Sequence, residues 1–165
     1  MEAKEKREVS LRDATVDEEK FLTFSLGEES YGIEILTVRE IVGLLPVTPV
    51  PQAPFSVRGV VNLRGQVIPV VDLRLRFGME GAEDTDETCI IVVQFHEMQL
   101  GVVVDRVSEV LDIARDDIVA PDTLGSEINT ESLLGIGKTD GRVTLLLDIA
   151  RIFATEELAE VARVA

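Results

Sequence analysis

The sequence predicts a mainly β protein built from two similar, partly closed five-stranded barrels, with short helices and a C-terminal helix. Three observations lead to this prediction. Apolar residues alternate in short β-branched runs, turn residues separate the runs, and two segments of the first half recur in the second. With 165 residues, 45% of them hydrophobic and 28% charged, the chain has the composition of a folded globular domain with one sizeable core or two small ones.

The N-terminal residues 1–20 differ from the rest of the chain. Lys, Arg, Glu and Asp are interleaved there with only scattered apolar positions. Such a segment buries too little surface to offset the entropy of ordering it, so we expect a charged, mobile tail. Strand periodicity begins at residue 21, where Leu22, Phe24 and Leu26 share one face. The main domain is therefore expected to span residues 21–150.

The repeated segments define two similar units. Residues 31–42 match residues 100–111 at a spacing of 69, so that Glu40 falls on Glu109. Residues 59–77 match residues 135–153 at a spacing of 76, and the second copy therefore has a connection seven residues longer. Because the order of the segments is the same in both halves, we expect two intertwined subdomains of one kind.

The remaining elements follow from local signals. Residues 45–55 include four prolines, which cannot donate to a sheet, so this connection should run extended over the surface. Residues 151–165 should form a helix that packs on the domain. Thr155 is a suitable N-cap for it, and Leu158, Val161 and Ala162 lie on one face.

Composition excludes several classes of function. A formal net charge of −15 repels nucleic-acid phosphates and anionic lipid headgroups, so neither is an expected partner. The apolar runs are strand-sized and the N-terminus has no secretory apolar region, which favours a cytoplasmic protein without membrane insertion. A single cysteine and a single histidine leave no basis for a disulfide, a cysteine zinc cluster or a multi-histidine metal site, and no cofactor is expected.

Paired aspartates are the strongest enzyme signal. Asp72 and Asp148 follow apolar strands at matching positions, as in a two-lobed β hydrolase with a shared-proton dyad. Their contexts, Asp-Leu-Arg and Asp-Ile-Ala, instead favour helix N-caps. Cys89 and His96 lie seven residues apart along one predicted strand, on opposite faces, which argues against a nucleophilic pair. No catalytic residue is predicted, and the hydrolase stays an alternative.

The two copies differ at the tip of the repeated hairpin. The second copy has Asp140-Gly141, a strong signal for a two-residue turn, whereas the first has Arg64-Gly65. Because arginine is the poorer turn former, its presence indicates a reason other than local geometry. Near the matched Glu40, Val38 either faces outward as an apolar contact or lies inside, and periodicity alone leaves both open.

Several of these segments together resemble the CheW family of bacterial chemotaxis coupling proteins. The resemblance covers nearly the whole chain from residue 21 and rests on YGIEILTVREI, GVVNLRGQVIPVVDLR, GVVVDRVSEVL and GKTDGRVTLLLDI. It implies two SH3-like five-stranded β-barrel subdomains and a non-enzymatic adaptor that couples transmembrane chemoreceptors to the histidine kinase CheA. An interaction domain of another signalling system is the remaining alternative.

The resemblance also implies site residues. Arg64 and Glu40 fall on the receptor-binding region between the subdomains, with Val38 and Arg58 alongside. For the surface that faces the regulatory domain of CheA, the expected residues are Val42 and Leu44. The implied location is the cytoplasmic side of the receptor array, beneath the inner membrane. The family supplies no role for the N-terminal tail.

Overall fold

The computed structural model describes residues 18–121 and 132–153, which form a mainly β structure of two sheets. The first half contributes β1 (Glu18–Leu26), β2 (Glu29–Glu34), β3 (Val38–Gly43), β4 (Val57–Leu63), β5 (Gln66–Asp72) and the helix α1 (Leu73–Arg76). The second half contributes β6 (Cys89–Phe95), β7 (Met98–Val104), β8 (Arg106–Ala114), β9 (Ile118–Val119), β10 (Leu133–Thr139), β11 (Arg142–Leu147) and the helix α2 (Ile149–Ile152).

One sheet has five strands in the order β3-β6-β7-β5-β4, and the other has six in the order β8-β1-β2-β11-β10-β9. Neighbouring strands are antiparallel except for the pairs β5–β7 and β2–β11, which are parallel. The predicted mainly β fold is confirmed, and the structure has two sheets where the sequence predicts two five-stranded barrels. The sixth strand of the larger sheet is the two-residue β9, which pairs with β10.

The two copies of the repeat exchange their first hairpins. Strands β1 and β2 leave the first copy and join β8 to β11, while β6 and β7 leave the second copy and join β3, β4 and β5. The chain therefore passes between the sheets twice. The first crossover is the 3₁₀ turn Ile35–Thr37 between β2 and β3, and the second crossover is Asp105 between β7 and β8. Neither copy completes a sheet by itself.

Both faces of the central strands are buried. A main apolar cluster, which includes Phe24, Ile91 and Val102, contains residues of both sheets. A second cluster belongs to the five-stranded sheet and includes Ile90 and Val103, and a smaller one in the six-stranded sheet contains Phe21, Ile113 and Leu146. Because strand neighbours point to opposite faces, adjacent residues such as Ile90 and Ile91 enter different clusters, which explains the continuous β-branched runs.

The proline-rich connection contributes to the five-stranded sheet. Thr48, which lies between two prolines, donates its backbone N–H to the Val60 carbonyl at 2.8 Å and accepts from the Val60 N–H at 2.9 Å. The Thr48 carbonyl comes so close to Gly59 that a Cβ there would lie 2.0 Å from its oxygen. Gly59 is therefore required by this close approach.

The chain ends are only partly described. Strand β1 begins at Glu18, so the last three residues of the predicted tail are paired with β8, and the Lys20 ammonium lies 2.6 Å from the Asp112 carboxylate. Residues 1–17 lie outside the described ranges, as does the predicted helix beyond Phe153 with its Thr155 cap. Among the described helices, none combines the length and apolar character needed to cross a membrane.

Candidate functional site

The hairpin between β4 and β5 carries Arg64 at its tip. Arg64 and Gly65 have φ values of 53° and 86°, and Asp140 and Gly141 in the matching hairpin have 48° and 75°. Both turns thus have the two positive φ values of a type I′ turn, as the sequence predicts. In the first copy Asn62 stabilises the turn, since its Oδ1 accepts the Gly65 N–H at 2.7 Å.

Arg64 forms an ion pair with Glu40, so two of the predicted site residues meet. Glu40 is on β3 and Arg64 follows β4, which are the two edge strands of the five-stranded sheet. The Arg64–Glu40 ion pair therefore links the two edge strands of the sheet. Because the Arg64 side chain is 69% exposed, the pair adds little to the stability of the fold and is accessible to a partner.

The apolar site residues pack on the two faces of the same edge, because the register of β3 shifts between Val38 and Glu40. Val38 is half-buried against the main cluster, so of the two readings of this residue the inward one is confirmed. Val42 and Leu44 are half-buried against the second cluster. The kinase contact predicted for Val42 and Leu44 stays a prediction.

Arg58 lies at the opposite end of β4 from Arg64 and is held by two carboxylates. Its Nε donates to Asp72 Oδ2 at 3.0 Å, and its two Nη atoms donate to the Asp84 carboxylate at 3.2 and 3.1 Å. Arg58 is the second residue of β4 and Arg64 follows the strand, so the two are six positions apart, which corresponds to about 20 Å of extended chain. Its contacts are those of a structural residue, and its receptor contact stays a prediction.

The two matched aspartates act as helix caps. Asp72 Oδ1 accepts the backbone N–H groups of Arg74 and Leu75 at 2.9 and 3.3 Å, at the start of α1. Asp148 Oδ1 accepts the Arg151 N–H at 3.3 Å, at the start of α2. The predicted N-cap role is confirmed at both positions, and each carboxylate is also engaged by an arginine, Asp72 by Arg58 and Asp148 by Arg151. This arrangement does not favour a hydrolytic dyad.

A groove of about 240 Å³ lies beside the first crossover, and sequence reasoning missed it. Its lining includes Glu34, Thr37, Phe95, His96 and Ala150. Burial raises the pKa of the Glu34 carboxyl, and the nearby carboxylates of Glu19 and Asp148 raise it further. In the same turn the side chain of Leu36 is 92% exposed.

The duplication contained a signal for this groove. Alignment of the two copies places Leu36 on Asp105, so an apolar residue stands at one crossover where the other has a carboxylate. An exposed leucine beside a concave surface is a feature of protein-binding sites. Within the described ranges no group of three or more His, Cys, Asp or Glu side chains is arranged to hold a metal ion.

An accessible ion pair, an exposed leucine beside a groove, and aspartates committed to helix capping together define a protein-interaction module. The profile of the CheW-like domain matches residues 20–157, and the chain belongs to this family.

Similar proteins agree with this assignment. The chain is 40% identical to the chemotaxis protein CheW of Klebsiella aerogenes over 155 residues, which cover 94% of this chain and 93% of that protein. It is 37% identical to the chemotaxis protein CheW of Helicobacter pylori over 134 residues, 81% and 80% of the two chains. The crystal structure of the scaffolding protein TtCheW from Thermoanaerobacter tengcongensis superposes with a TM-score of 0.77 at 34% identity, over 84% of this chain and 94% of that one.

Proposed function

We propose that this chain is a non-enzymatic adaptor that couples transmembrane chemoreceptors to the histidine kinase CheA. Its family membership and its similarity to proteins named as chemotaxis and scaffolding proteins support this proposal. They favour neither the hydrolase nor an interaction domain of an unrelated signalling system. The adaptor acts in the cytoplasm, at the receptor array beneath the inner membrane.

The proposed receptor surface extends along β3 from the groove at the first crossover to the Arg64–Glu40 pair. Thr37 borders the groove, and Glu40 follows it by three positions, which corresponds to about 10 Å of extended chain. Val38 lies between them. This stretch combines apolar contact area with an accessible charge pair, which suits the tip of a helical receptor.

The observation that carries the receptor assignment is the Arg64–Glu40 pair itself. Asp140 forms the same turn in the second copy, so turn geometry does not require an arginine. Since the pair is exposed, fold stability does not require it either. A role in partner recognition explains why Arg64, a residue poorly suited to the turn, stands at the exposed tip of the hairpin.

The proposed kinase surface is adjacent. Val42 follows Glu40 on the same face of β3, and Leu44 lies just beyond the strand. Both side chains are half-buried, so the part that remains accessible could pack against the regulatory domain of CheA. In this arrangement signalling passes by positional coupling between two bound partners.

The receptor surface is tested with Arg64→Asp. We expect at least about a tenfold loss of affinity for a receptor cytoplasmic fragment in calorimetric titration, with an unchanged melting temperature. Lys138→Asp makes the same charge change in the matching hairpin and should bind normally, since Lys138 is exposed there.

A charge swap separates recognition from a structural role. The double variant Arg64→Glu with Glu40→Arg keeps an ion pair but reverses its polarity. If recognition depends on the individual charges, the swap binds as poorly as Arg64→Asp. Full affinity in the swap, or in Arg64→Asp itself, would show that the receptor does not read these side chains.

A further inference from the structure

We propose that Asn62 is a positioning residue of the receptor surface: it holds the hairpin tip in the conformation from which Arg64 meets the receptor. The inference rests on the proposed function and adds to it a residue that acts through the turn. Asn62 lies on β4, two positions before Arg64, and it is exposed.

The contact that carries this inference is a hydrogen bond inside the hairpin. The Asn62 Oδ1 accepts the backbone N–H of Gly65 at 2.7 Å. The strand ladder ends at the pair Leu63–Gln66, so the Gly65 N–H lies beyond the ladder. The carboxamide therefore supplies an acceptor to the turn residue that directly follows Arg64.

Arg64 needs this support because its backbone conformation is uncommon. Its φ of 53° lies in the left-handed region, which asparagine and aspartate adopt more readily than arginine does. Other conformations of the tip therefore compete with the type I′ turn when arginine stands there. A hydrogen bond that is specific to one conformation shifts the equilibrium toward it.

The second copy forms the same turn with a different pair of residues. Lys138 stands at the position of Asn62, and its ammonium can only donate hydrogen bonds. Asp140 stands at the position of Arg64 with a φ of 48°, a conformation that aspartate tolerates by itself. The arginine at the tip thus occurs together with the acceptor on the strand. This paired difference indicates that the acceptor compensates for the arginine.

Neither the strand nor the core accounts for an asparagine at this position. Asparagine is depleted in β-strands, because its side chain competes with the ladder for backbone hydrogen bonds. Its cross-strand neighbour is Val67, and both residues are exposed. The core therefore does not require asparagine here, and the hydrogen bond to the turn explains it.

The expected size of the effect follows from this single hydrogen bond. Removing one net hydrogen bond changes an equilibrium constant by about two- to fivefold. If the receptor binds only molecules whose tip is in the type I′ conformation, the apparent affinity falls with the fraction in that conformation. Asn62→Ala should therefore weaken receptor binding, but by less than Arg64→Asp does.

The test measures the turn and the receptor contact separately, in the whole chain. Solvent exchange of the Gly65 amide proton reports on the turn, and calorimetric titration with a receptor cytoplasmic fragment reports on binding. In Asn62→Ala we expect faster exchange and an affinity about two- to fivefold lower, with an unchanged melting temperature because the tip is exposed. Unchanged exchange, or unchanged affinity despite faster exchange, overturns the proposal.

A conservative variant distinguishes positioning from direct contact. Asn62→Asp retains an oxygen acceptor, so both the exchange rate and the affinity should return close to their wild-type values. If exchange is restored while the affinity stays low, residue 62 meets the receptor itself and the positioning role is wrong. Lys138→Ala is the matched control in the other hairpin and should bind normally. An equal loss of affinity in that control would also contradict the proposal.

A double variant separates this proposal from the receptor assignment. Adding Asn62→Ala to Arg64→Asp should cause no further loss of affinity, because the guanidinium is already absent and aspartate adopts the turn as Asp140 does. A further loss of full size would show that Asn62 acts independently of Arg64. Normal binding by Arg64→Asp would overturn the receptor surface and the positioning role together, whereas normal binding by Asn62→Ala alone would overturn only the positioning role.

Discussion

The two crossovers occupy matching positions in the duplicated chain, yet one is closed by polar contacts and the other is open. At the second crossover Asp105 accepts the Arg74 Nε–H at 2.8 Å and the Gly27 backbone N–H at 2.7 Å. Arg74 also donates from Nη1 to the Glu80 carbonyl at 3.2 Å. A single carboxylate thus links the β1–β2 turn, α1 and the passage from β7 to β8.

The first crossover lacks each of these groups. Leu36 stands in the place of Asp105, and the alignment puts His96 in the place of Gly27 and Ala150 in that of Arg74. His96 and Ala150 line the groove, and Leu36 projects from the adjacent turn. The two copies share the path of the backbone and differ in these side chains. As a result, the second crossover stabilises the fold and the first crossover is open to a partner.

The largest expected effect is on stability at the second crossover. Asp105→Ala should lower the free energy of unfolding by about 2–3 kcal/mol, because the partly buried Arg74 guanidinium and the Gly27 amide lose their acceptor. Leu36→Ala should stay within about 0.5 kcal/mol, since the side chain is exposed. Urea denaturation measures both. Equal decreases in the free energy of unfolding would mean that the two crossovers contribute equally to stability.

The next effect concerns binding at the first crossover. Leu36→Asp should weaken affinity for a receptor fragment roughly tenfold, since a charge replaces an apolar contact. Phe55→Asp is the matched control, because Phe55 is 80% exposed and lies in the proline-rich connection away from the groove. Adding Ala150→Arg to Leu36→Asp copies the polar contacts of the second crossover, and the double variant should bind no better. If Leu36→Asp binds the receptor fragment as tightly as the wild type, the groove is not part of the receptor-binding surface.

The smallest effect is a difference in pH dependence. The hydrogen bonds from Arg74 hold the pKa of the Asp105 carboxyl below its usual 3.8, so the stability it supplies is present above that value and lost as the pH falls further. Burial raises the pKa of Glu34 above 4.5, so the protonated carboxyl favours the folded state. The stability that it supplies is present below 4.5 and is lost as the pH rises above that value.

The stabilities of variants at these two carboxyl groups should therefore depend on pH in opposite ways. Relative to the wild type, Glu34→Gln should gain stability as the pH rises above 4.5, because the glutamine has no carboxyl group to ionise. Asp105→Asn should lose stability relative to the wild type as the pH rises through the region just below 3.8. Melting temperatures across this range measure both. Parallel profiles would show that the two carboxyl groups do not differ in environment.

Much of the local structure could be predicted. The alternation of Leu22, Phe24 and Leu26 identified one face of β1, and all three are buried in the main cluster, whereas Phe21 on the other face is buried in the smaller one. The contexts of Asp72 and Asp148 identified two helix caps. These features depend on residues within a few positions of one another, so the chemistry of the segment is enough to establish them.

Other features required contacts between distant segments. The sequence indicated two intertwined copies of a unit but not which hairpins the copies exchange, because an edge strand can pair with either copy's hairpin. The motif that suggested Arg58 for the receptor surface does not show that Asp72 and Asp84 engage its guanidinium. The groove at the first crossover likewise forms only where the tip of one sheet meets the end of the other.

The sequence by itself therefore determined the strands, the type I′ turns, the caps and the difference between Arg64 and Asp140, since all of these depend on neighbouring residues or on the internal repeat. Only the tertiary structure decided that Arg64 reaches Glu40. It also decided that Leu36 is exposed at the first crossover, whereas Asp105 at the second crossover is hydrogen-bonded. The physical reason is that an ion pair or a groove requires side chains from separate strands to meet, and strand exchange places those strands in the same sheet.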